Sequence, residues 1–229
     1  MAHDDRDWYD GLQDGRFPGW RNVNGTAPGR LYAMGLDGVL ERYMDVNEIW
    51  TEIGCATGYT TVGAANITGA EMVGVDLPHV VDDTVTDPYG DGPEPAYVGA
   101  VAPDLPFAEG AFDGVLAPNS LTYLARQIGQ EDGAAARQAF VDETLTKLGR
   151  ITRDNGALIL AEQADSSRLV LERETDADPP WTVAEYDAEP EAAGGPAFHL
   201  RYEPWVSSEE VRWSTKSERS DHNTSKQPL

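Results

Sequence analysis

The stretch from Ile49 to Asp76, IWTEIGCATGYTTVGAANITGAEMVGVD, constrains the fold more than any other part of the chain. It reads as a strand over 48–53, a glycine-marked turn, a helix over 59–67 ended near Gly69, and a second strand over 71–75 followed by Asp76. That order places a backbone turn and a carboxylate on the same edge of a sheet. Gly54 and Gly58 permit close backbone approach to a ligand. Asp76 ends the second strand, where it can accept hydrogen bonds from two ribose hydroxyls. An adenosine-containing cofactor needs both features.

The alternation continues along the chain. Residues 31–46 carry apolar side chains at Leu31, Met34, Val39, Leu40, Tyr43 and Met44, a helical spacing weakened by Gly35 and Gly38. Strands are expected over 96–100 and 112–117, separated from the second strand by a loop over 82–95. A long helix over 133–152 has Phe140, Leu145, Leu148 and Ile151 on its apolar side. Asn155-Gly156 reads as a turn into 157–161, an apolar run suited to a strand buried on both faces. The expected fold is α/β, a Rossmann-like, doubly wound and mostly parallel sheet in three α/β/α layers.

The flanks are less regular. Residues 1–45 read as an irregular lead-in followed by the first helix, with Trp8, Tyr9, Phe17 and Trp20 packing onto a domain that spans 46–206. Within it, 172–197 is dense in Asp, Glu, Pro and Gly and reads as an acidic loop or lid, and 199–206 as one more strand. Ser207-Ser208-Glu209-Glu210 fits a capping box, and 207–229 is expected to be a partial helix and a disordered tail.

Composition narrows the function. At 229 residues the chain can bury one sizeable core. Forty Asp and Glu against 17 Lys and Arg give a formal net charge of −23, and the only lysines are Lys147, Lys216 and Lys226. The acids are dispersed, which reads as a halophilic surface adapted to molar salt and a haloarchaeal-like source. No basic patch is available to neutralise phosphates, so nucleic-acid binding is not expected. Cys55 stands alone and cannot form an internal disulfide. No leader pattern and no apolar run near the roughly 20 residues of a bilayer span is visible, so a soluble, cytoplasmic chain with no membrane partner is expected.

Which cofactor the turn takes depends on its departures from the dinucleotide pattern. G-x-G-x-x-G asks for three glycines; this chain offers Gly54, Ala56 and then Tyr59. Tyr59 crowds a pyrophosphate and Glu52 repels it, whereas a carboxylate there suits a cationic ligand. EIGCATG followed by VGVD resembles motif I and the next acidic motif of class I S-adenosylmethionine-dependent methyltransferases. The segment 105–115, LPFAEGAFDGV, is similar to that family's run into strand four, and 148–160, LGRITRDNGALIL, to its helix-turn-strand before strand five. The four segments occur in the family's order and cover about residues 45–162.

The resemblance implies S-adenosylmethionine as cofactor. Glu52, Gly54 and Gly58, with Cys55 and Ala56 between the two glycines, then line the methionine half; Asp76 holds the ribose and Leu77 packs on adenine. Asn119, after strand four, stands at the mouth near the transferred methyl. The acid that the family often carries after strand three is missing near Val101, and Asp104 is the nearest substitute. Each role has a structural alternative: Glu52 as a carboxylate capping the next helix, Asp76 as a turn former before Pro78, Asn119 as a turn residue. Asp113 reads as structural. His79, His199 and His222 are isolated, with no metal-ligand spacing between them.

The family's sheet ends in a reversed strand pair after its last helix. Here the chain becomes polar where that helix begins, so the pair is expected to be missing or replaced by the tail, as in a shortened C-terminus. A missing last strand leaves an open edge.

Methyl transfer to a small-molecule acceptor is the implied activity, since the Asn-Pro-Pro-aromatic signature of nucleic-acid amino methyltransferases is absent at Ala117-Pro118-Asn119-Ser120. Positioning can supply much of that catalysis, and a base is needed only where the acceptor must lose a proton first; Asn119, Tyr123 and His199 are candidates. Acidic and aromatic residues, including Glu52, Tyr9 and Trp20, favour a sulfonium. The competing readings are a non-catalytic relative that binds the cofactor or a partner protein, and a nicotinamide-dependent oxidoreductase, which the failed third glycine disfavours.

Overall fold

A computed structural model describes residues 31, 35–81, 92–162, 167–174, 181–187, 202 and 204–206. Its elements are α1 (Asp37–Tyr43), β1 (Ile49–Ile53), α2 (Tyr59–Thr68), β2 (Glu71–Asp76), α3 (Pro78–Val81), β3 (Ala96–Gly99) and β4 (Phe112–Pro118). They continue with α4 (Leu121–Glu131), α5 (Ala134–Ile151), β5 (Thr152–Glu162), β6 (Ser167–Arg173) and β7 (Trp181–Asp187). The seven strands form one sheet in the order β3-β2-β1-β4-β5-β6-β7. The first five are parallel to their neighbours, β6 runs antiparallel to β5, and β7 antiparallel to β6.

Both faces of the central strands are covered, which is why their sequences are apolar at nearly every position. On one face Ile53, Val115, Leu158, Leu160, Leu169 and Leu171 pack with Leu121, Val141, Leu145 and Leu148 of α4 and α5. On the other, Trp50, Met72, Leu116, Ile159 and Val170 pack with Val39, Leu40, Ala64 and Ala65 of α1 and α2. Trp50 needs room: a Cβ on its paired neighbour Gly114 would lie 2.3 Å from the indole Cη2. At the edge where β1 begins, the Asp113 carboxylate accepts from the Ile49 amide at 2.8 Å and from Arg153 at 2.6 Å, the structural role expected of it.

Several expectations are corrected. The sheet is not cut short: β6 and β7 supply a final reversed pair, β6 antiparallel to β5 and β7 antiparallel to β6. β7 lies inside 172–197, and β6 reaches Arg173, so that stretch is not simply an acidic loop. Leu169, Leu171, Trp181 and Val183 are buried, and their apolar area outweighs the surrounding acids. Within 199–206, Tyr202 and 204–206 are helical rather than extended, with Tyr202 and Trp205 fully buried. Within 31–46, Leu31 is helical and a helix runs over Asp37–Tyr43, with Gly35 between them turning the backbone to φ +64°. The Asn155-Gly156 turn is a bulge inside β5: Asn155 has φ +64°, and four residues, 153–156, stand opposite Asp113. Helix α4 was not expected at all. The expectations for 1–30, 82–91 and 207–229 lie outside the described residues.

Candidate cofactor site

β1 ends in Glu52 and Ile53, and the chain turns through Gly54 (φ +78°), Cys55, Ala56 (φ +48°), Thr57 and Gly58 (φ +81°) into α2. The left-handed angles at Gly54 and Gly58 are ones that other residues adopt only at a cost. The turn is tied to β2. The Gly54 and Cys55 amides donate to the Val75 carbonyl at 2.8 and 3.1 Å, and the Ala56 amide donates to Asp76 Oδ2 at 2.7 Å. The other oxygen, Oδ1, accepts from the Leu77 amide at 2.7 Å. Asp76 therefore joins the turn after β1 to the turn after β2, at 5% exposure.

Glu52 is fully buried and accepts from the hydroxyls of Thr60 and Thr61 in the first turn of α2. These bonds tie Glu52 to side chains of α2 beneath the turn, and helix α2 has no side-chain cap. Cys55 is 3% exposed, and Glu52 and Asp76 both act on its thiol. Burial pushes its thiol well above the ordinary cysteine range, and the two carboxylates push the same way. Such surroundings repel phosphate and suit a cation.

Two side chains that the sequence did not point to fill the space over the glycines. The Ser120 hydroxyl, beyond β4, donates to the Ile53 carbonyl at 2.5 Å, and a Cβ on Gly54 would lie 2.3 Å from Ser120 Cβ. A Cβ on Gly58 would lie 2.3 Å from the hydroxyl oxygen of Tyr97, on β3. Protein packing accounts for the small residue at both positions. Burial, with Cys55, Glu52 and Glu94 nearby, holds the Tyr97 phenol above its ordinary range.

The remaining expected residues occupy the same sheet edge. Leu77 is half-buried after Asp76. Asn119 has φ +53°, and its amide donates to the Ala161 carbonyl at 2.8 Å, so its backbone makes the turn after β4. Asp104 is exposed in a turn bridged to Val101, whose approach is fixed by the Ala100 amide donating to the Asp76 carbonyl at 2.8 Å. Tyr123, in the first turn of α4, accepts from Gln127 at 2.6 Å, with the Arg126 guanidinium 5.2 Å from its ring centroid. Thr122 beside it donates to Glu162 at the end of β5. His79 is exposed on α3, while Tyr9, Trp20, His199 and His222 lie outside the described residues. Among the described residues there is no group of three His, Cys, Asp or Glu side chains able to hold a metal, and no helix long and apolar enough to cross a membrane.

Residues 51–160, from within β1 to within β5, match the family described as "Methyltransferase domain". This stretch is a methyltransferase domain. S-adenosylmethionine is the cofactor that goes with the family, and a turn backed by buried carboxylates, with Asp76 beside it, suits a cationic nucleoside. No curated protein matches the chain. Solved structures that resemble it include a chain of the complex between the Haloferax volcanii Trm112 methyltransferase activator and a candidate methyltransferase. That pair is 20% identical with TM-score 0.49, covering 67% of this chain and 59% of that one. The YcgJ protein of Bacillus subtilis is 16% identical with TM-score 0.44, covering 56% and 49%. A SAM-dependent methyltransferase from Methanosarcina mazei is 16% identical with TM-score 0.44, covering 53% and 55%. The chain thus spans 49–59% of the length of these three structures.

Proposed function

We propose that the chain is an S-adenosylmethionine-dependent methyltransferase acting on a small-molecule acceptor. The observation that carries the reading is the bond from the Ala56 amide to Asp76 Oδ2, 2.7 Å, which brings the β1 turn and the β2 carboxylate together at one sheet edge. In this proposal Asp76 receives the ribose hydroxyls, since a carboxylate accepts more than two hydrogen bonds. Leu77 offers an apolar surface to the adenine. Gly54, Cys55, Ala56 and Gly58 border the methionine half above the buried Glu52. Asp104 and Asn119 flank the site, the latter beside the acceptor. The sulfonium supplies an activated methyl group, so the protein's task is to align the acceptor with it and to keep water out.

An acceptor amine, thiol or hydroxyl must lose a proton before or after attack, and Tyr123 and Asn119 stand at the edge where that proton leaves. The dispersed negative charge supports an enzyme adapted to high salt. A second reading, a relative that binds cofactor or a partner protein without turnover, is favoured by Val101, which stands exposed where an acid is expected. Calorimetric titration with S-adenosylmethionine, S-adenosylhomocysteine and NAD at high salt tests the cofactor. Binding of the two sulfur ligands and not NAD is expected; a folded sample that binds neither ends the proposal. Transfer of labelled methyl to a small-molecule extract separates enzyme from non-catalytic relative.

A further inference from the structure

Gly58 and Gly74 share one neighbour. Tyr97 pairs with Gly74 across β2 and β3, and Gly74 in turn pairs with Glu52 of β1. The tyrosine ring crosses β2 where a side chain at position 74 would stand: a Cβ there would lie 2.7 Å from Tyr97 Cδ1 and 2.8 Å from Cε1. The far end of the ring reaches the turn, where a Cβ on Gly58 would lie 2.3 Å from the hydroxyl oxygen and 2.8 Å from Cζ. Gly58 has φ +81°, so its backbone alone favours glycine; Gly74 has no such angle, and the ring approaches its position most closely. Cys55 Sγ, 3.0 Å from the same hypothetical Cβ on Gly74, closes the third side.

We propose that Tyr97 is a positioning residue for the cofactor: a strut that sets the height of the 54–58 turn over β2. This rests on the cofactor reading above. The strut touches the two segments whose juxtaposition makes the site. Gly58 opens α2, and Gly74 stands two residues before Asp76 on the strand that carries it. Moving either segment moves the Ala56 amide relative to the Asp76 carboxylate. A tyrosine ring has few torsions to freeze and holds its length, which suits it to the task. Burial, with Cys55 and Glu52 nearby, holds its phenol above the ordinary range, so it stays neutral beside the turn.

The test compares S-adenosylhomocysteine affinity with melting temperature across a variant set at high salt. Tyr97→Phe keeps the ring and is expected to bind within about twofold of wild type, whereas Tyr97→Ala, folded, is expected to lose roughly tenfold or more, the scale for losing a side chain that orients a binding group. Tyr97→Leu, which keeps apolar volume but leaves no atom at Gly58, gives the same reading should the alanine variant fail to fold. Gly74→Ala is expected to displace the ring, lowering both melting temperature and affinity. Adding Tyr97→Ser to Gly74→Ala is expected to restore the melting temperature and not the affinity. Restoration of both, or wild-type affinity in Tyr97→Ala and Tyr97→Leu, overturns the strut while leaving the cofactor reading intact. Absence of binding by the wild-type chain overturns both.

Discussion

Asp76→Ala isolates the contact on which the site depends. The substitution removes two acceptors at once, Oδ2 from the Ala56 amide and Oδ1 from the Leu77 amide, each at 2.7 Å. A hydrogen bond to an ionised group contributes about 1.5–3 kcal/mol net. Ala56 and Leu77 are only half-buried, so water recovers part of each, and the expected loss of stability is about 2–4 kcal/mol. At roughly 2–4 °C per kcal/mol for a chain of this size, the melting temperature should fall by roughly 5–15 °C. Asp76→Asn keeps one acceptor oxygen and turns an NH2 group towards the other amide, so it should fall between alanine and wild type. Ligand binding gives the second measurement. Loss of the ribose hydrogen bonds should weaken S-adenosylhomocysteine by about 1–3 kcal/mol, or roughly 5- to 150-fold. Thermal unfolding followed by circular dichroism at high salt, paired with calorimetric titration, reads both effects. A melting temperature within about 2 °C of wild type would refute the clamp. Unchanged affinity in a folded variant would refute the ribose assignment.

Three further outcomes are expected. Gly114→Ala drives a Cβ to within 2.3 Å of the Trp50 ring and should cost about 1–3 kcal/mol or more by overpacking, recovered in part by Trp50→Leu; an unchanged melting temperature would show that the sheet yields easily there. Cys55, buried and with its thiol held high, should resist alkylation in the folded state at about pH 8, near the ordinary thiol range, and react once the chain unfolds; rapid labelling of folded protein would contradict the burial. The net charge of −23 should make the fold depend on salt, so dilution into low-salt buffer should lower the melting temperature steeply, and salt-independent unfolding would count against the high-salt reading.

The half of the fold that holds the site was legible because its signals are local. Gly54, Gly58 and Gly69 mark positive φ angles, and the apolar strands on either side have the length and composition of a buried parallel pair. Helix α4 had a readable signal that was missed: Leu121, Ala125 and Ile128 recur at helical spacing after Ser120. β6 and β7 were obscured by their own charge. Arg168, Glu172 and Glu185 flank the buried positions, and Arg168 and Glu185 pair across the hairpin at 3.4 Å, so residues that read as loop-like are cross-strand partners. Ser120 over Gly54 and Tyr97 over Gly58 had no sequence signal, because each contact joins segments brought together only by the completed sheet. The glycines of the turn were recognised, then, while the side chains that require them were not.

The antiparallel pairing of β6 on β5 has a further consequence for how such a chain can diversify. β5 runs with β1 and β4, β6 returns, and β7 runs with them again, so Glu162, Ser167 and Asp187 all come to the edge that carries the cofactor turn. Both the link between Glu162 and Ser167 and the chain leaving Asp187 therefore start from that edge. Length and composition can vary at these two junctions without shifting the register of any strand. Such changes would leave Asp76 and the turn it holds as they are.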